Sequence, residues 1–541
     1  MPSMINRAIH KSRTVLGHAW NDRRIQELAA QVSRNTPPLG PQQSAATQPV
    51  VFFNASTRLS GVSLNAAFSL LSSWSLRLQG VPVVHFVCRQ ALAPCVLGTQ
   101  RNSPTQPPPC QECLAQSKVI YAGQAVRWLE SVPLPSLVHD LSLLDLDGLS
   151  RFTYDGLPLG QMVLPSLRWI LRRHHLKDNE ATRYLMRQYI YSAAGIARQF
   201  SAYLSETTPR AVVVFNGMFY PEATVRALAQ RAKIPCITHE VGLLPFTAFF
   251  TPGEATAYPL DIPADFQLDD AQNERLDAYL EQRFKGNFSM AGVEFWPDMQ
   301  TLDEDFWETA NQFKQIVPIF TNVVFDTSQG HANTVFPTMF AWLDSILELM
   351  RMHPDTYFVI RAHPDENRPG KESRESVEDW VERRGIKELP NVLFVGPNQP
   401  FSSYELIQHA KFVLIYNSTI GLEASIMGAA VLSGGRARFT QLPTVFFPQS
   451  QAEFIRTARS FLLAEAVPPP EEHRLNARRF LYYQLFRSSL PFGDFLEEDG
   501  IWKGYVRLKK WEWQALLPER SATLRVISSG ILNGTPFFME E

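Results

Sequence analysis

The chain has 541 residues, with 51 lysines and arginines against 53 aspartates and glutamates and a formal net charge of −2, a balance that offers no electrostatic footprint for nucleic acid. Hydrophobic residues make up 45% and charged ones 19%, which excludes a disordered chain and supplies apolar sequence for two or more cores. No run approaches the ~20 apolar residues that cross a bilayer, the first residues lack a signal-peptide core, and five unevenly placed cysteines make no disulfide framework, so the expected compartment is the cytoplasm.

Residues 1–47 read as an N-terminal helical arm and linker. Arg7, Lys11 and Arg13 belong to a helical pattern that runs to about Val32, and 35–49 is rich in Pro, Gln, Ser and Thr. A basic amphipathic helix lies on an anionic membrane surface, which is the route to peripheral contact with the inner face of a membrane. Asp22 and Glu27 dilute the basic face and favour docking on the first domain instead.

Residues 48–310 read as an α/β domain with helical insertions. Apolar runs at 50–54 and 81–87 are predicted strands, and the helical segment 63–78 between them completes a βαβ unit. The segment 166–204 is predicted helical, with Arg168, Arg172, Arg173, His174, His175 and Lys177 forming either a solvated face or a contact for an anionic acceptor. Strands follow at 212–217 and 234–242. Ligands of open α/β sheets sit beyond the carboxyl ends of the strands, so Asn216, His239 and Glu240 are expected to face an interdomain cleft.

Cys88, Cys95, Cys110 and Cys113 fall in one loop-rich region beside Pro107–Pro109. Four thiolates can close a tetrahedral zinc shell, and Cys110 and Cys113 have the spacing of a knuckle, although Cys88 and Cys95 are more widely separated. Reduced structural thiols are the alternative. Cys236, inside a predicted strand, reads as core.

Residues 311–470 read as a second α/β domain, opened by a strand at 317–323 and a loop at 325–330. Phe336, Phe340, Leu343, Leu347 and Met350 then recur at helical spacing, a core stripe. The strand 357–360 delivers Arg361, His363, Pro364 and Glu366, and a further strand at 391–397 leads to a helix near 403–409. The apolar run 412–416 then leads through Asn417, Ser418 and Thr419 into a helix over about 420–427, with Gly421 and Glu423 in its first turn. The triplet supplies N-cap residues, and a helix start of this kind attracts phosphate, while Glu423 is placed to accept hydrogen bonds from a ribose diol. Residues 471–541 turn helical and aromatic.

Arg361-Ala362-His363-Pro364 followed by Asn417-Ser418-Thr419-Ile420-Gly421-Leu422-Glu423-Ala424 resembles the GT-B capsular-polysaccharide and lipopolysaccharide biosynthesis proteins, whose relatives include Kdo transferases and polyglycerol-phosphate transferases. The resemblance is clearest over 317–435 and weaker over 212–242. It implies an α/β fold of two Rossmann-like domains in a GT-B arrangement, C-terminal helices that cross back to the first domain, and a nucleotide-sugar donor on the second. A glycan or lipid-linked acceptor would then occupy the first.

Glycosyl transfer requires stabilisation of a leaving phosphate and, for inversion, a base on the acceptor hydroxyl. Arg361, His363, Ser418 and Thr419 are expected to serve the phosphate, with Asn417, Gly421 and Glu423 completing the donor site. Glu240 is the expected base, His239 its alternate, and His363 a second catalytic group; Asn216 and Glu366 are assigned to acceptor or sugar. Cationic side chains and helix amides make a catalytic metal or cofactor unnecessary. A nucleotide-sugar 2-epimerase or polyol-phosphate transferase on the same fold, or a non-catalytic nucleotide-sugar-binding scaffold, remain alternatives.

Overall fold

The computed structural model describes residues 4–38, 48–55, 59–92, 94–285, 289–290, 293–294, 300–500 and 504–541, with side chains of the first helix described from His18 onward. The basic positions Arg7, Lys11 and Arg13, the linker at 39–47 and Trp502 lie outside these limits.

Short runs of Val, Phe and Ile form strands because both sheet faces are covered by helices, which leaves little room for polar side chains. The first sheet has the order 490–491, 247–251, 236–241, 211–215, 50–53, 83–88, 125–129. Its central strands are parallel, whereas Thr247–Thr251 and Leu490–Pro491 run antiparallel at one edge. One face packs against the helix Leu64–Leu78 around Phe52, Phe68 and Trp74; the other packs against Glu180–Thr207 around Phe53, Tyr189 and Phe200. The second sheet, ordered 392–395, 356–361, 315–320, 413–415, 431–433, is parallel throughout. Phe336, Phe340, Leu343, Leu347 and Met350 are all buried in its core.

The C-terminal segment crosses back. The helix Glu471–Tyr482 packs on Ile420–Ile426 of the second domain; Leu490–Pro491 then joins the first sheet, and Ala522–Asn533 lies on Leu64–Leu78. Two Rossmann-like domains tied together in this way form the GT-B arrangement. Ile25, Leu28, Ala29 and Val32 of the helix Met4–Asn35 are buried at helical spacing in the first core, so this part of the arm is docked on the domain. Among the described residues no helix is long and apolar enough to cross a membrane.

The expected single helical stretch over 166–204 is two helices, Leu159–Leu171 and Glu180–Thr207. Arg172 ends the first in a left-handed conformation at φ 56°, and the Asn179 side chain caps the second through the amide of Thr182. A non-glycine residue at positive φ leaves no mark in the hydrophobic periodicity.

Candidate active site in the interdomain cleft

Four neighbouring strands of the second sheet end at one place. Gln315–Phe320, Thr356–Arg361, Val413–Ile415 and Val431–Ser433 hand over to loops that wall a cavity of about 470 Å³. Gly253–Pro259 of the first domain and Tyr279 and Arg283 of the connecting helix close its other side. Gly434 makes one of these turns possible, since a Cβ there would stand 2.2 Å from the Trp342 ring.

Arg361, His363, Asn417, Ser418, Thr419 and Glu423 all line the cavity. His363 Nδ1 accepts the Asp365 amide at 3.1 Å, which places the proton of the neutral ring on Nε2. Burial lowers its pKa, so the ring is a neutral donor near pH 7. Asn417 Oδ1 accepts from Asn322 Nδ2 at 2.8 Å, a bond that joins two of the strand-end loops.

Other residues of this set are already engaged. Arg361 is 4% exposed and gives its guanidinium to the carbonyls of Gly396 and Gln399, the latter at 3.0 Å, while burial lowers its pKa to about 10. It fixes the 396–399 loop that forms part of the wall. Thr419 precedes the helix Ile420–Ile426 but makes no side-chain cap bond, contrary to the expected N-cap chemistry. Gly421 lies outside the lining; a Cβ on it would meet Ile415 Cδ1 at 2.3 Å, so its role is close packing of helix on strand. Glu423 is held by Arg283 and Tyr404.

On the first domain, parallel pairing of Ala211–Phe215 with Cys236–Val241 brings Asn216 beside Glu240. Asn216, at φ 59°, donates to Glu240 Oε1 at 2.5 Å, and the Val241 amide donates to Oε2 at 3.1 Å. Burial pushes the Glu240 pKa up to about 7 despite these bonds, and Asp326 of the second domain is close enough to raise it further. Asp326 also acts on His363, so the two expected catalytic groups share one charged neighbour across the cleft, although Glu240 and Asn216 lie behind the lining. His239 does not reach the cleft. It is 1% exposed, its Nδ1 is 3.2 Å from Asn65 Oδ1, its ring stacks on Phe250, and burial lowers its pKa to about 3. Glu366 also turns away: it is fully buried with both oxygens on the Val377 amide.

Several lining residues escaped the sequence reading. Arg436 and Arg438 follow the fourth strand end, and Arg438 lies 4.6 Å from the Tyr258 ring of the first domain. His331 pairs through Nδ1 with Glu254 Oε2 at 3.2 Å and through Nε2 with Thr256 Oγ1 at 2.9 Å, while Arg226 holds the other Glu254 oxygen at 2.6 Å. The strand-end rule that marked Asn417–Thr419 would have marked Arg436 as well. No sequence signal connects His331 to Glu254.

Cys88 ends the strand Val83–Cys88, and Cys110 and Cys113 open the helix Cys110–Ile120; these three and Cys95 are each partly buried. Among the described residues no group of three or more His, Cys, Asp or Glu side chains is arranged to hold a metal.

No curated protein matches the chain. Among solved structures, the beta Kdo 2,4 transferase KpsC of Thermosulfurimonas dismutans is 11% identical with a TM-score of 0.34, over 52% of this chain and 80% of that one. The UDP-GlcNAc 2-epimerase of Neisseria meningitidis bound to UDP-GlcNAc is 13% identical with a TM-score of 0.24, over 81% and 99%. Similarity at this level fixes neither substrate nor mechanism. The family model for capsule polysaccharide biosynthesis proteins matches residues 288–455, just under a third of the chain. That segment contains Arg361–Pro364, Asn417–Glu423 and all five strands of the second sheet, and over it the chain is similar to the capsule polysaccharide biosynthesis proteins, the group its motifs resemble.

Proposed function

We propose that the chain is a metal-independent glycosyltransferase that moves a sugar from a nucleotide-activated donor on the second domain to a surface-glycan or lipid-linked acceptor on the first. The observation that carries this reading is the 470 Å³ cavity at four adjoining strand ends, which has the size of a nucleotide site and is lined by His363, Ser418, Thr419, Arg436 and Arg438. These donors and cations suit a departing diphosphate or monophosphate, whose negative charge grows as the glycosidic bond breaks. The two arginines take the part first assigned to Arg361, whose guanidinium holds a loop instead. Glu240, with a pKa of about 7 and donors from Asn216, the Val241 amide and Asn65 orienting its carboxylate, suits a base that receives the acceptor proton. The family match over 288–455 supports polysaccharide assembly as the setting.

A thermal-shift screen against CMP-, UDP-, GDP- and CDP-linked sugars tests the donor site, with stabilisation expected for one nucleotide class. Chromatography of free nucleotide then tests the reaction. Release that depends on added acceptor supports transfer, release or sugar inversion without acceptor points to epimerisation, and binding without turnover leaves a scaffold.

A further inference from the structure

A second cavity, of about 210 Å³, shares no lining residue with the cleft. It opens where the break between the helices Leu159–Leu171 and Glu180–Thr207 meets the 370–375 segment of the second domain. Arg101, Arg173, Lys177 and Arg374 line it, together with Asn179 and Thr182 at the start of the longer helix, and no carboxylate does. Among the described residues none of these four cations has a carboxylate partner within ion-pair distance.

The neighbouring acids are committed elsewhere. Glu375 accepts the amides of His174 and His175 at 2.8 and 2.9 Å and pairs with the His175 ring at 2.5 Å; Asp178 holds Arg183, and Glu180 holds Arg187. Glu372 takes the Gly370 amide at 2.9 Å and is the carboxylate whose field reaches Arg101. Behind the cavity, Arg172 adds a fifth positive charge, stacked between Trp169 at 4.3 Å and Phe325 at 4.8 Å.

The cations are also positioned. Arg101 Nε donates to the Ile170 carbonyl at 2.8 Å, Arg173 Nη2 donates to the Arg374 carbonyl at 3.2 Å, and Arg374 donates to Asn102 Oδ1. Each guanidinium keeps further N–H groups, and the planar fork of arginine matches phosphate oxygens. Four like charges gathered in one cavity repel one another unless an anion joins them.

We propose that this cavity binds a phosphate group of the acceptor. The anion site stands on the cations alone, whereas its assignment to the acceptor rests on the glycosyl-transfer reading. Three of the four cations belong to the first domain, where that reading places the acceptor, and Arg374 belongs to the second, so a bound phosphate links the two domains.

Calorimetric titration of the full chain with inorganic pyrophosphate tests the site. Two sites are expected in the wild type. Lys177→Glu with Arg374→Glu, both at exposed positions, removes one, and His363→Ala removes the other. Sedimentation with phosphatidylglycerol vesicles, with phosphatidylcholine vesicles as control, identifies the source: binding that the double variant loses assigns a lipid headgroup, and absence of vesicle binding beside an intact second pyrophosphate site assigns a soluble glycan phosphate. Two sites retained in the double variant, or a single wild-type site that His363→Ala abolishes, overturns the proposal. Loss of a site in the double variant with none lost in His363→Ala upholds the cavity and refutes the donor-site reading instead.

Discussion

Arg283 and Glu423 form a buried ion pair beneath the cleft: Nε and Nη2 of the arginine both lie 2.6 Å from the glutamate Oε1, with side chains 15% and 3% exposed. Tyr404 donates its hydroxyl to the other oxygen at 2.5 Å. Burial opposes the charge on Arg283, and Glu423 beside it more than compensates, keeping the guanidinium protonated. Removing the carboxylate would strand that cation among Phe284, Tyr279 and Tyr404, so Glu423→Ala is expected to lose ~3–5 kcal/mol in a urea melt. Arg283→Met with Glu423→Leu should recover much of it. A Glu423→Ala melt within ~0.5 kcal/mol of wild type would contradict a buried pair.

The Arg283–Glu423 pair also marks the limit of what could be read in advance. The strands were visible because buried parallel strands are short apolar runs, and so was the placing of Asn216 and Glu240 at strand ends, whereas the hydrogen bond between them needs the parallel register that the structure shows. The turn at Asn417–Thr419 was visible for the same reason. Residue type does not reveal a partner 140 positions away, however, so Glu423 read as a free ribose ligand although Arg283 holds it. Arg361 likewise read as a phosphate donor, while its hydrogen bonds go to backbone carbonyls, which no pattern of side chains records. The cleft's interdomain contacts, Glu254 with His331 and Tyr258 with Arg438, depend on how two domains face each other, and that is settled by packing far from either residue.

Glu366 predicts a pH dependence. Burial, opposed by the Val377 amide and reinforced by Asp379 and Glu378, lifts its pKa to about 8 from an ordinary 4.5. Between those values the native state keeps a proton that the unfolded state releases, so stability falls as pH rises, by up to ~1.4 kcal/mol per pH unit. Glu240 acts with the same sign up to about pH 7, and His85, His174 and His239, buried neutral, act with the opposite sign below about pH 6.5. The window from pH 7 to 8 therefore isolates Glu366. Denaturant melts should show stability falling there in the wild type and nearly flat in Glu366→Gln; equal slopes in both would refute the raised pKa.

Glu240→Gln should leave donor affinity near that of the wild type while lowering turnover about a hundredfold or more, the scale for loss of a general base. Because a base must be deprotonated to act, wild-type turnover is expected to rise with pH and level off above about 7, the Glu240 pKa, and the variant should lack that limb. Asn216→Ala removes the hydrogen bond that favours the charged carboxylate and should move the limb to higher pH. Full activity in Glu240→Gln would remove the residue from the mechanism.

The four clustered cysteines lead to the last expectation. Cys88 ends a strand, and its sulfur accepts the amides of Ala91 and Leu92; Cys95 Sγ accepts the Gly98 amide at 3.2 Å. A Cβ on Gly98 would meet Pro108 Cβ at 2.5 Å and Cys95 Sγ at 2.9 Å, so this loop lies against the turn that starts the helix Cys110–Ile120. Cys110 and Cys113 sit on its first turn, and burial raises the pKa of the Cys110 thiol, as it raises Cys88 to about 11 and Cys95 to about 12. Two sulfurs with N–H donors on loops and two at a helix start are the residue types of a structural zinc shell, although among the described residues no three of them are gathered as metal ligands. Protein expressed with zinc and purified without chelator is expected to contain about one equivalent by elemental analysis. Cys110→Ser with Cys113→Ser should lose the metal and lower the melting temperature, since zinc bound to the native state stabilises it by linkage. Metal-free wild-type protein that melts as the double variant does would leave the four residues as reduced thiols that pack the loop.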